Sequence, residues 1–208
     1  MIPVLYEDDW FVIVNKPPGL LTVPAPGRPQ RTLVDILNED LKKHAVAYRL
    51  HPCHRLDRET SGLLILAKGK SAQQGMMELF HRRGIKKSYI AFVHGRLVRA
   101  HGVIRNTIEG RPASTGFSVT EQRRDFSVLE VKPETGRTNQ IRIHCKAMGH
   151  PLVGESKFCF RRDFALRAKR VMLHAQKLEF QHPFTGKKMC VEAPLPGDMQ
   201  RFLEEYPA

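Results

Sequence analysis

Leu63-Leu64-Ile65-Leu66-Ala67 is apolar without a break. It follows directly on the polar stretch His54-Arg55-Leu56-Asp57-Arg58-Glu59-Thr60-Ser61-Gly62. A short apolar run bounded by a turn signal reads as a buried strand. A fold that accommodates it must take this strand into a core and leave the preceding loop at the strand's edge. A polar loop on a rigid element is where a reactive group can be held usefully. The loop places the Asp57 carboxylate between Arg55 and Arg58. Taken alone, that arrangement is equally an ordinary surface ion pair ahead of a core strand. The rest of the chain has to decide.

Length and charge narrow the choices. The 208 residues are read as one domain, 1–208, of one lobe or two, with enough chain for a sizeable core. No apolar run approaches the ~20 residues of a membrane span. The N-terminus turns acidic at Glu7-Asp8-Asp9 and lacks the basic region of a signal peptide. The four cysteines, Cys53, Cys145, Cys159 and Cys190, are scattered without a CxxC pair and are read as reduced thiols of a cytoplasmic protein. Lys and Arg number 34 against 21 Asp and Glu, a formal net charge of +13. So basic a chain is expected to meet a polyanion, usually nucleic acid. The charge is clustered at Arg82, Arg83, Lys86 and Lys87, at Arg161, Arg162, Arg167, Lys169 and Arg170, and at Lys187 and Lys188. Such clusters suit phosphates, whose neutralisation releases counterions.

Patterning predicts a strand at Trp10–Asn15, ended by Lys16-Pro17-Pro18-Gly19, then a loop from Pro24 to Pro29. Thr32 and Asp35 have capping-box spacing and open a helix with Leu33, Ile36, Leu37 and Leu41 on one face. Ser71 is expected to cap a second helix striped by Ala72, Met76, Leu79 and Phe80. Strands are predicted at Lys87–Val93, Phe117–Thr120, Phe126–Val131, Val171–Phe180 and Met189–Glu192. The polar span Arg105–Thr115 reads as a loop. Thr138 is expected to cap a short helix that stops at Gly149. Helices and strands without regular βαβ alternation argue for an α+β fold.

Several chemistries lack their residues. His51, Cys53 and His54, and likewise His144, Cys145 and His150, do not have the paired spacing of a structural zinc site, so no metal is expected. No GxxxxGK[ST] or GxGxxG segment points to a nucleotide cofactor, and no GxSxG elbow to a serine hydrolase. Asp57 and Glu59, two apart on an extended loop, make a poor flanking pair for glycoside hydrolysis. A single carboxylate with basic company remains. Kept ionised and oriented by an arginine fork, it can act as a nucleophile. Arg142, between Ile141 and Ile143, is a candidate partner whose neighbours suggest partial burial. Tyr89, between Ser88 and Ile90 on a strand, is by itself more ordinarily a core aromatic.

His54 to Leu64 is similar to the catalytic motif of the RluA-type pseudouridine synthases. Asn15-Lys16-Pro17-Pro18-Gly19 resembles that family's first motif, Lys86-Lys87-Ser88-Tyr89 its tyrosine motif, and Thr135-Gly136-Arg137 through Arg142 and His144 its arginine motif. Gly149-His150-Pro151-Leu152-Val153-Gly154-Glu155, Leu173-His174-Ala175 and His182-Pro183 complete the order. The resemblance implies an α+β fold with a mixed, mainly antiparallel sheet, flanking helices and a central RNA-binding cleft. It implies isomerisation of a uridine in ribosomal or transfer RNA, without a cofactor. It assigns Asp57 as the catalytic aspartate, Tyr89 as the tyrosine that packs on the target base, and Arg142 as the arginine that pairs with the aspartate. Arg55 matches a residue that fills the stack left by a flipped base, Leu173 lines the uracil pocket, and Arg137 falls to RNA contact. The partner expected is an RNA stem-loop, and nothing demands more than a monomer. Asn139 departs from the pattern, since many relatives carry histidine there. No S4-like domain is expected ahead of the motifs. Whether Asp57 attacks C1′, attacks C6 or abstracts the C2′ proton stays open. A catalytically silent RNA-binding module would be marked by loss of Asp57, Tyr89 or Arg142, and all three are present. A zinc deaminase would need an H-x-E…P-C-x-x-C segment, which is absent.

Overall fold

The computed structural model describes residues 2–24, 27, 30–159, 164 and 166–207. Part of the Pro24–Pro29 loop, and Arg161 and Arg162 of the central basic cluster, therefore lie outside the described residues. In chain order the elements are β1 (Val4–Glu7), β2 (Phe11–Lys16), α1 (Leu33–Lys43), β3 (Leu50–Pro52), β4 (Ser61–Lys68), α2 (Lys70–His81) and β5 (Lys86–His94). There follow β6 (His101–Ile108), β7 (Arg111–Gln122), β8 (Phe126–Pro133), α3 (Gln140–Ala147), β9 (Leu173–Gln181), β10 (Lys188–Glu192) and α4 (Gly197–Glu205). The chain divides into two compact units, Met1–Lys86 with Lys177–Ala193, and Lys87–Gln176 with Pro194–Ala208.

In the first unit β4 is the central strand. It pairs antiparallel with β2, Phe11 opposite Ala67 and Lys16 opposite Gly62, and β1 and β3 add to these two. Leu63 to Ala67 are each 0 % exposed, so the strand is covered on both faces, which is why its sequence is a continuous apolar run rather than an alternation. One face, with Leu63, Ile65 and Ala67, packs with Phe11, Ile13, Ala72, Met76, Leu178 and Phe180. Helix α1 starts on the expected capping box: Thr32 Oγ1 accepts from Asp35 N at 3.2 Å and Asp35 Oδ2 accepts from Thr32 N at 3.0 Å. Helix α2 starts earlier than predicted. Its N-cap is Gly69, with φ of 91°, and Ser71 lies within the first turn rather than capping it. At β9–β10 the turn around Thr185-Gly186 is as expected, with His182 Nε2 donating to Asp8 Oδ2 at 2.8 Å. Asp8 also accepts from Tyr6 Oη, Trp10 N and Phe11 N.

The second unit is an antiparallel meander in which β5 pairs β8, β8 pairs β7 and β7 pairs β6. The span read from sequence as a loop, 105–115, is instead the tip half of the β6–β7 hairpin. Ile108 pairs Arg111 across Glu109 and Gly110, both at positive φ, 51° and 71°. The misreading has a physical cause. Most of β6 is exposed, so its composition is set by water rather than by a core. Helix α4, not foreseen, joins this unit's core: Met199 and Phe202 pack with Phe92, Phe126, Val128, Val153, Leu166 and Met172. The four cysteines are thiols rather than disulfides; burial pushes Cys53 and Cys145 up to about 12, which leaves these two unreactive. No helix among the described residues is long and apolar enough to cross a membrane.

Two outcomes follow. Phe202→Ala leaves a cavity in the second core and should lower stability by about 3–5 kcal/mol in chemical denaturation. Burial opposes ionisation of Asp8, but its hydrogen bonds from Phe11, His182, Trp10 and Tyr6 outweigh that and lower its pKa. Its stabilisation is therefore present above the ordinary carboxylate pKa and lost as pH falls through the lowered value. Asp8→Asn should melt below the wild type at neutral pH, and the gap should close on acidification; a constant gap would refute the assignment.

Candidate active site

The Asp57 loop is built onto the end of β2. Lys16, the last residue of that strand, is 0 % exposed, and its ammonium donates to the carbonyls of Pro17 (2.9 Å), Leu20 (2.8 Å) and Arg58 (3.2 Å). Arg58 is tied further, its carbonyl accepting from Gly19 N at 2.8 Å and its Nε donating to Gly19 O at 3.0 Å. On the other side of the aspartate, buried Thr22 bonds both backbone groups of Leu56, accepting from its N at 3.2 Å and donating to its O at 3.1 Å. The residues either side of Asp57 are thus fixed to the 16–22 segment. Asp57 itself is half-buried, with its carbonyl accepting from Thr60 N at 3.1 Å, and Arg55 is exposed. Lys16 and Thr22 received no role from sequence. The available signal was a lysine closing an apolar strand, where an ammonium must find carbonyl partners.

Tyr89, Arg137, Arg142 and Leu173 belong to the second unit. Tyr89 on β5 is opposite Val131 on β8, and Val131 is opposite Phe117 on β7. Thr115, two residues from Phe117, shares that face because side chains alternate along a strand. Helix α3 lies over the same face: Thr115 Oγ1 accepts from Gln140 Nε2 at 2.9 Å and is 2.8 Å from His144 Nδ1. Tyr89 and the helix that carries Arg142 are therefore brought to one side of one sheet. Tyr89 is 8 % exposed. Arg137 caps the helix approach, its N donating to Gln140 Oε1 at 3.0 Å and its Nε reaching Pro112 O at 3.4 Å. Leu173 opens β9 and is 3 % exposed.

Arg142 is buried, as its neighbours suggested, and is held by a residue that sequence reasoning placed only within a motif. Its Nε and Nη2 donate to Glu155 Oε2 and Oε1 at 2.8 and 2.7 Å, and its Nη1 to Asn139 Oδ1 at 3.2 Å. The Phe158 ring lies 5.3 Å from the guanidinium carbon. Glu155 also accepts from the backbone N–H groups of Ser156, Lys157 and Phe158. Burial works against its charge, but Arg142 and these amides outweigh that and lower its pKa. The α3 cap differs from expectation. The N-cap position is Asn139 rather than Thr138; it lies in the left-handed region at φ 54°, which asparagine visits more readily than β-branched residues, and its side chain makes no capping bond. Its amide oxygen on Arg142 gives the departure at this position a local purpose.

The histidines near the motifs have structural work. His54 Nε2 accepts from Ile65 N at 3.1 Å, and His150 Nδ1 is 2.8 Å from His94 O. Among the described residues no three His, Cys, Asp or Glu side chains are grouped as metal ligands would be.

The profile of the RNA pseudouridylate synthase family matches residues 10–147. The chain belongs to this family. An RNA pseudouridine synthase of Bacillus subtilis, YlyB, is 36 % identical over 220 residues, covering 98 % of this chain and 72 % of that protein. The ribosomal large subunit pseudouridine synthase D of Nitrosomonas europaea is 34 % identical over 222 residues, covering 98 % of this chain and 64 % of its own length. Among solved structures, human RNA pseudouridylate synthase domain containing 4 superposes with a TM-score of 0.82 at 23 % identity, covering 97 % of this chain and 92 % of that one. Human RNA pseudouridylate synthase domain containing 1 gives 0.74 at 26 % identity, with 100 % and 97 % covered. The mixed α+β architecture with a mostly antiparallel sheet is thus the fold of these synthase domains. The family match includes Arg55, Asp57, Tyr89, Arg137 and Arg142, and stops short of Glu155 and Leu173.

The splint beside Asp57 makes a direct prediction. Lys16→Met removes the donor of the Pro17 and Leu20 carbonyls, leaves Arg58 O with Gly19 N alone, and should cost about 1–3 kcal/mol, read as a lower melting temperature. An unchanged melting temperature would show that the ammonium does not hold the loop.

Proposed function

We propose that this protein is an RNA pseudouridine synthase that converts a uridine to pseudouridine with Asp57 as its essential carboxylate. The observation that carries this reading is Asp57 itself, retained in the family's motif and braced on both sides by Lys16, Gly19 and Thr22. The reaction breaks the N1–C1′ bond, turns the uracil and joins C5 to C1′. C5 gives up a proton and N1 gains one, so atoms and electrons balance without an oxidant, reductant or cofactor.

The target uridine has to leave its stack, at a cost of a few kcal/mol. In this reading Arg55, exposed on the Asp57 loop, takes up the vacated stack. Tyr89 packs on the uracil and is the candidate for its proton transfers, and Leu173 lines the base's pocket. Arg142 keeps Asp57 ionised, and Arg137 with the exposed lysines and arginines contacts phosphates. A ribosomal RNA stem-loop is the favoured substrate, since the Nitrosomonas relative bears a ribosomal large subunit name. The protein would work in the cytoplasm as a monomer.

RNA tritiated at uracil C5 loses label only when C5 is substituted. Wild-type protein should release it, whereas Asp57→Asn should release none while still binding RNA in a filter or mobility assay. Release at the wild-type rate by Asp57→Asn would remove the aspartate from the chemistry. Binding should weaken steeply as salt rises, because phosphate contacts release counterions; a flat salt profile would argue against the basic surface as the RNA contact.

A further inference from the structure

Arg170 is a second buried arginine, 7 % exposed, outside the stretch matched by the family profile. Its Nε and Nη2 form a fork on Asp198, with Nε to Oδ2 at 2.6 Å and Nη2 to Oδ1 at 2.9 Å. Its Nη1 donates to the carbonyls of Val171 at 2.9 Å and Leu173 at 3.2 Å. One guanidinium therefore grips the first turn of α4 and, with its remaining edge, the bend that leads into β9. That bend is tight, with Leu173 N bonded to Val171 O at 2.9 Å. Leu173 is the residue it delivers.

The backbone of the same segment touches the loop that holds Arg142. Gly154 has φ of 82°, and a Cβ there would stand 1.9 Å from Arg170 O, so only glycine allows the approach. Glu155, the carboxylate on Arg142, is the next residue. Met172 N donates to Val153 O at 2.9 Å, Val153 N to Phe92 O at 2.8 Å, and Phe92 N to Met172 O at 3.0 Å. Phe92 lies on β5, the strand of Tyr89. Asp198 is anchored in turn: its Oδ1 accepts from Met199 N at 3.0 Å, and Met199 is fully buried in the core.

We infer that the Arg170–Asp198 pair is a positioning element for turnover, fixing from the C-terminal helix the two short segments that carry Leu173 and the Glu155 support of Arg142. The inference rests on the isomerase reading above. A buried ion pair stabilises little over an apolar replacement, because desolvating both charges offsets their attraction. What a four-bond fork supplies is geometry, and small displacements of positioned groups are costly in rate.

The test measures kcat and KM for tritium release from C5-labelled RNA prepared from cells lacking this protein. Asp198→Asn and Arg170→Lys are compared with Glu204→Gln, an exposed change on α4. Phe202→Leu is included as a variant that loosens α4 without touching the pair. All assays run well below each variant's melting temperature. Asp198→Asn and Arg170→Lys should lose about 10- to 100-fold in kcat with KM within about twofold. Glu204→Gln should keep wild-type kcat, and Phe202→Leu should keep most of it despite a lower melting temperature. Asp198→Glu should recover part of what Asp198→Ala loses. Wild-type kcat in Asp198→Asn and Arg170→Lys, or an equal loss in Phe202→Leu, would overturn the inference and leave the pair a stabilising contact. No release by the wild-type protein would instead overturn the isomerase reading on which it stands.

Discussion

A lysine ammonium buried among three carbonyls holds the Asp57 loop in place. Lys16 ends the strand that pairs with β4, and its reach to Pro17, Leu20 and Arg58 turns two separate loops into one bonded body. An ammonium in that position is unfavourable unless every proton has an acceptor. The requirement works in both directions: the charge demands the carbonyls, and the carbonyls, once turned inward, have no other donor as strong. The loop carries a turn bond of its own, Thr60 N to Asp57 O, and is fixed further at Leu56 and Arg58. Asp57 is left between them as the residue whose backbone surroundings are settled in advance.

The second unit solves a similar problem with arginines. Arg142 and Arg170 are both nearly buried, and each meets a carboxylate through two parallel bonds, Glu155 for one and Asp198 for the other. Forked pairs fix orientation as well as charge. Each carboxylate is held again by backbone N–H groups of its own segment, so the pair is rigid at both ends. The aromatic core of Phe92, Phe126 and Phe202 then ties helix α4 to the sheet that bears Tyr89. The charged pairs contribute direction and the apolar core contributes stability.

Membership of the RNA pseudouridylate synthase family and the arrangement around Asp57 support one account. In the proposed reading Asp57 serves a redox-neutral rearrangement, which asks for a fixed carboxylate rather than an oxidant or reductant. The chemistry asks the protein for placement and charge rather than for a reagent. That is why the described residues devote so much buried polarity to holding loops.

Parts of this were readable from the chain. The apolar run 63–67 could only be a covered strand, the Thr32–Asp35 spacing could only favour a capped helix, and the ordered motifs around Asp57, Tyr89 and Arg142 carried the family resemblance. These are signals of local spacing, and short-range physics fixes them. The hairpin 101–122 was not readable over its first half, because a strand with a wet face has the composition of a loop. Nor was the start of α3, where a left-handed asparagine replaces the expected threonine cap. Helix α4 gave no reading until Met199 and Phe202 were seen to fill a core assembled from distant strands. Which carbonyls receive Lys16, which carboxylates receive Arg142 and Arg170, and why residue 154 must be glycine depend on segments far apart in sequence. The chain alone determined the family and named the candidate residues for its chemistry. Only the tertiary structure decided what holds them, because a buried charge is satisfied by whatever the fold brings within hydrogen-bonding distance, and spacing along the chain does not specify that.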